Sequence, residues 1–127
     1  MKKHMIGIAC AVMATVAHAQ MSKQQCKTWH KREQTVLVTA TYCKWPNYGG
    51  SVQQDISRFM ETKKCSLRDK EKERIAKAAH RNFQEQSKDK RELDVCMMMM
   101  RYVREVDLKL RLEKNSQSGA APLYIER

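Results

Sequence analysis

The chain lacks most of the motifs that announce chemistry. No C-x-x-C pair is present, so its cysteines do not fall into a zinc-binding spacing. There is no glycine-rich phosphate loop, no G-x-S-x-G and no H-E-x-x-H. Only four glycines and two prolines punctuate 127 residues, and no internal repeat is visible. Beyond the first sixteen residues no long apolar run remains, which excludes a later membrane-spanning segment. These absences argue against an enzyme, against a resident metal and against any cofactor.

What is present begins with an export signal. Lys2, Lys3 and His4 precede an apolar run from Met5 to Val16, and Ala17-His18-Ala19 has the small-x-small pattern of a signal peptidase site. Residues 1–19 are therefore expected to be a cleaved signal peptide. Cys10 leaves with it. A lipid anchor on Cys10 is disfavoured, because Gly7 stands where such a site wants a branched apolar residue. A short signal of this kind points to a periplasmic protein. The full chain carries a formal charge of +11, and loss of Lys2 and Lys3 lowers this to +9. Such a charge favours an acidic protein, an anionic lipid or a glycolipid surface as partner. Export excludes intracellular nucleic acid.

Four cysteines remain: Cys26, Cys43, Cys65 and Cys96. An even number in a short exported chain implies two disulfides. Their pairing follows from the helices. Ser22 and Gln25 have capping-box spacing, and Cys26, Trp29, Val36, Leu37, Ala40 and Cys43 share one helical face. The β-branched stretch Thr35–Thr41 also suits a strand, but the 3.6-residue period spans the whole segment. The seven residues from Lys44 to Gly50 read as a loop holding Trp45 and Tyr48. A second helix is expected from Ser51 to about Lys64, with Val52, Ile56, Phe59 and Met60 as its stripe. A third runs from about Leu67 to Gln86, capped by Ser66 with Asp69, and packs through Ile75, Ala76, Ala79 and Phe83. The fourth spans about Lys90 to Lys114, with Asp89 and Glu92 as its capping pair. Its broad apolar face holds Leu93, Val95, Cys96, Met97, Met99, Met100, Val103, Val106 and Leu110. A single helix in place of the third and fourth is the alternative.

The fold class is thus all-α: an up-and-down bundle of three to four helices stapled by two disulfides. The domain covers residues 20–114, and 115–127 form a flexible tail. A helix joining Cys26 to Cys43 holds them about 25 Å apart, far beyond disulfide reach. The up-and-down course then brings Cys65 beside Cys26 and Cys96 beside Cys43. The predicted pairs are Cys26–Cys65 and Cys43–Cys96.

Three residues stand out as candidate partner contacts. Trp45 and Tyr48 either form a recognition site or cap the end of the core. Met97 to Met100 is an unusual run. Thioethers bind Cu(I), but four consecutive helical residues point in four directions and do not converge on one ion. Three are expected in the core, with Met98 at the edge or in a partner contact. Glu33 lies on the apolar face of the first helix and is expected to pair with a lysine or arginine from the third or fourth. The functional expectation is a small exported helical interaction or accessory factor that binds another envelope protein. An inhibitor or immunity role, or a place in a secretion or conjugation apparatus, falls within it. The alternative is a basic envelope-surface protein or a Cu(I)-binding protein.

Overall fold

The computed structural model describes residues 21–118. It holds four helices: α1 (Lys23–Cys43), α2 (Pro46–Thr62), α3 (Asp69–Ser87) and α4 (Glu92–Ser118). No strand occurs among the described residues. The expected signal peptide lies outside them, as do residues 119–127 of the expected tail.

α1 starts as its sequence predicts. The Ser22 hydroxyl accepts from the Gln25 N–H at 3.1 Å, and the Ser22 N–H donates to Gln25 Oε1 at 3.0 Å. The β-branched stretch stays helical. Thr35 and Thr41 donate their hydroxyls to the carbonyls of Lys31 and Leu37 four residues back, at 2.9 and 3.0 Å. The helix itself thus satisfies the side chains that most favour leaving it. Lys44 ends α1 in the left-handed region, with φ of 58°, and the Trp45 N–H returns to the Ala40 carbonyl at 2.9 Å.

The expected loop over Lys44–Gly50 is corrected. Pro46 opens α2 at its first position, and Asn47 to Gly50 are already helical, so α2 starts five residues before the expected Ser51. Proline suits this position because its missing N–H would have had no partner there. Gly49 is helical for a different reason. A Cβ on Gly49 would run into the Cβ of Ala40, so the glycine marks where α1 and α2 cross closely. α3 starts at Asp69 rather than Leu67. The Arg68 N–H donates to Glu71 Oε1 at 3.3 Å, so Glu71 supplies the cap expected of Ser66 and Asp69. Asp89, with φ of 60°, separates α3 from α4 and removes the single-helix alternative. α4 begins at Glu92 and runs on to Ser118, four residues past the expected end at Lys114.

α1 packs against each of the other three helices, whereas α2 and α3 do not meet. The main core gathers Trp29, Val36, Val52, Ile56, Phe59, Val103, Val106 and Leu110. Trp29 and Phe59 meet edge to face at 5.4 Å. A smaller cluster of Phe83, Val95 and Met99 lies towards the other end. The predicted stripe of α2 is wholly buried. On α3, Ala79 and Phe83 are buried while Ile75 and Ala76 are half-buried. Two expected faces are too broad. Leu37 on α1 is exposed, and so are Leu93 and Met97 on α4. The inward line of α4 is Val95, Met99, Val103, Val106 and Leu110. Leu93 lies two residues from that line's first member, on the far side of the helix.

Both disulfides join the predicted pairs. The Cα atoms of Cys26 and Cys65 are 5.5 Å apart, and those of Cys43 and Cys96 are 5.7 Å apart. Both distances fit a disulfide. One bridge fastens each end of α1. A disulfide-bonded chain of this kind belongs in an oxidising compartment. No helix among the described residues is long and apolar enough to cross a membrane.

Candidate interaction surface

The end of α1 fixes the position of both predicted aromatics. The left-handed turn at Lys44 directs the chain straight into α2, so Trp45 becomes its N-cap residue and Tyr48 lies in its first turn. The Cys43–Cys96 bridge ties this corner to α4. Between them lies an open cleft of about 530 Å³, lined by Lys44, Trp45, Pro46, Tyr48, Met100 and Arg104 among others. Trp45 is half-buried and Tyr48 is exposed.

Tyr48 is held rather than loose. Its hydroxyl donates to Asp107 Oδ2 at 3.5 Å, and Asp107 is paired with Arg111 at 3.4 Å. Partial burial raises the Tyr48 pKa, the Asp107 carboxylate raises it further, and Arg104 and Arg111 partly oppose the rise. The side chain is therefore a neutral phenol at any physiological pH, with its ring presented beside the cleft.

The methionine run divides. Only Met99 is buried, so the expectation of three in the core is corrected. Met100 borders the Trp45 cleft, and Met97 is exposed. Met98, expected at the edge or in a partner contact, is exposed and does not join Trp45 and Tyr48. It lines a separate groove of about 440 Å³ where α1, α3 and α4 meet, whose lining includes Thr35, Phe83, Met99 and Tyr102. The predicted contacts therefore belong to two surfaces. Burial raises the Tyr102 pKa, partly offset by Thr35 and Arg32.

Sequence reasoning missed the stripe formed by Leu93, Met97, Met100, Arg104 and Leu108. Its steps of four, three, four and four place these residues on one side of α4. That signal was in the sequence, but a face so spaced is normally assigned to the core. Here Leu93 is 64 %, Met97 63 % and Leu108 48 % exposed.

Glu33 is buried as predicted, but its partners are corrected. It accepts from Gln53 Nε2 of α2 at 2.7 Å and pairs with His30 Nδ1 on its own helix at 3.1 Å. The reason is position: Glu33 lies on the side of α1 that α2 covers. His30, Glu33 and Ser57 line one cleft. Ser57 makes no hydrogen bond to His30 among the described residues, so a nucleophile and its base are not assembled there. The described residues contain no group of three or more His, Cys, Asp or Glu side chains able to hold a metal ion.

Comparison of the chain with known protein families, with curated proteins and with solved structures returns no match.

Proposed function

We propose that this protein is an exported helical accessory factor of the periplasm that acts by binding another envelope protein. The observation that carries this reading is the corner at Cys43–Cys96. It presents Trp45, Tyr48 and Met100 around an open cleft, on a turn fixed by a disulfide. Aromatic residues in such a position supply contact area at low entropic cost, and a rigid scaffold limits what binding must order. An inhibitor or immunity role, and a place in a secretion or conjugation apparatus, are specific forms of the same activity.

The methionines give less support to the alternative of a Cu(I) protein. Met99 packs in the core and Met98 faces another groove, which leaves Met97 and Met100 as the only pair of the run on one face. Affinity capture of the mature protein from its own envelope tests the main reading. A partner that is retained by the parent protein and lost with Trp45→Ala plus Tyr48→Ala supports it. Capture of nothing at low salt, or of the same partner by the variant, counts against it.

A further inference from the structure

We infer that the outer face of α4, together with the Trp45 cleft, receives an amphipathic helix of a partner protein whose apolar stripe is edged with acidic residues. This rests on the interaction reading above and adds the chemistry of the partner.

Four of the five residues of this face are apolar, with Arg104 among them, and the described residues leave it uncovered at Leu93, Met97 and Leu108. From Leu93 to Leu108 it extends about 22 Å, the length of four helical turns. Leu93, Met97 and Leu108 are exposed on it, while Met100 leads into the cleft beside Trp45 and Tyr48. A partner helix with apolar residues every three to four positions matches this spacing. Methionine side chains adapt to the shapes such helices present.

Charge selects the partner. Lys44 and Arg104 both line the cleft, and neither is in an ion pair among the described residues. By contrast Arg91 and Arg111, on the same helix or at its start, are paired with Asp94 and Asp107. Lys44 at the rim of the cleft and Arg104 within the stripe complement carboxylates at the edge of an incoming apolar face. A second copy of this chain is a poor occupant. It would bring its own Lys44 and Arg104 and a formal charge of +9 after signal loss, from +11 in the full chain. An anionic lipid surface is also a poor occupant. Such surfaces are held by clusters of about four to eight cations, and the cleft offers two, Lys44 and Arg104.

The test uses the mature, oxidised protein and two designed helical peptides of about 18 residues. Both carry leucines at helical spacing. One has glutamates flanking the apolar face and the other has lysines. Binding is read from tryptophan fluorescence, with Trp29 buried and Trp45 at the cleft. The glutamate peptide is expected to bind at about 50 mM salt and to weaken as salt rises, while the lysine peptide does not bind. Leu93→Gln with Met97→Gln, both at exposed positions, is expected to weaken binding by about tenfold or more. Arg104→Glu is expected to lower affinity for the glutamate peptide and raise it for the lysine peptide. Circular dichroism of each variant checks that it is folded.

Failure of the glutamate peptide to bind, equal binding of both peptides, or indifference to these substitutions overturns the inference. So does binding to phosphatidylglycerol vesicles that depends on Leu93 and Met97 when neither peptide binds. A dimer in sedimentation that dissolves in the Leu93→Gln, Met97→Gln variant overturns it in favour of self-association. Envelope capture that depends on Trp45 and Tyr48, without glutamate-peptide binding, would overturn the acidic helix while keeping the interaction role.

Discussion

Thr39 and Glu33 are the buried polar residues of α1, and they differ in how they are satisfied. The Glu33 carboxylate has both His30 and Gln53. The Thr39 hydroxyl is fully buried and has no hydrogen-bond partner among the described residues. Burying a hydroxyl without a partner costs stability, and valine has nearly the same shape. Thr39→Val is therefore expected to raise the unfolding free energy by about 1 kcal/mol, measured by urea denaturation. A loss of stability would mean that the hydroxyl is needed. Glu71 is a charge-linked case. Desolvation acts to raise its pKa, but the Arg68 N–H together with Lys27 and Lys23 outweighs this and holds it below the ordinary 4.5. A depressed carboxyl pKa stabilises the fold fully above the unfolded-state value, and that contribution is lost as pH falls through the folded-state value. Glu71→Gln should thus lower the melting temperature at pH 7, and the gap from the parent should close below pH 4.5. An unchanged gap at pH 3 would refute the linkage. The burial of Glu33 was legible from its place on the wheel. Its partner was not, because Gln53 reaches it only through the crossing of α1 with α2.

At the scale of elements, that crossing is set by a glycine that looks like a turn residue. Gly49 and Gly50 are adjacent and both helical, yet their surroundings differ. A Cβ at 49 meets Ala40, whereas a Cβ at 50 meets nothing within 4 Å. Gly49→Ala is expected to cost about 1–3 kcal/mol by forcing the helices apart. Gly50→Ala is expected to add about 0.5–1 kcal/mol through helix propensity alone. Equal effects in thermal or urea unfolding would show that the close approach does not matter. Local sequence could not assign these two residues, because glycine serves both a turn and a tight contact. The distinction depends on Ala40, nine residues earlier in the chain. Helix α1, by contrast, was legible from its cap and its period, because both signals are local. The side of α4 facing the core was only half legible. Its apolar residues cover most of the helix, and the fold uses the line through Val103 rather than the one through Met97.

At the scale of the whole molecule, the length of α1 sets the pairing of the cysteines. A rigid 21-residue helix cannot close on itself, so each of its ends must find a cysteine elsewhere. The helix removes Cys26–Cys43 from the three possible pairings, and the up-and-down course of the other helices selects Cys26–Cys65 with Cys43–Cys96 from the two that remain. The bridges close loops of 39 and 53 residues. Loop-closure cost grows only with the logarithm of length, so the two should contribute similarly, roughly 2–4 kcal/mol each. Replacing either pair with alanines is expected to lower stability by that amount in guanidinium denaturation. A loss well under 1 kcal/mol for either pair would place the stability of the bundle in its core instead.

The two bridges are also interleaved: Cys43 lies inside the loop closed by Cys26 and Cys65, and Cys65 lies inside the loop closed by Cys43 and Cys96. This bears on how the protein meets proteases. A single backbone cut anywhere between residues 26 and 96 separates no fragment, since at least one bridge always spans it. A cut between 43 and 65 is spanned by both. The turns at Lys44, Lys64 and Lys88–Arg91 are exposed and basic, open to trypsin-like enzymes. Cleavage at any one of them would leave the chain a single covalent body, visible as two pieces only after reduction.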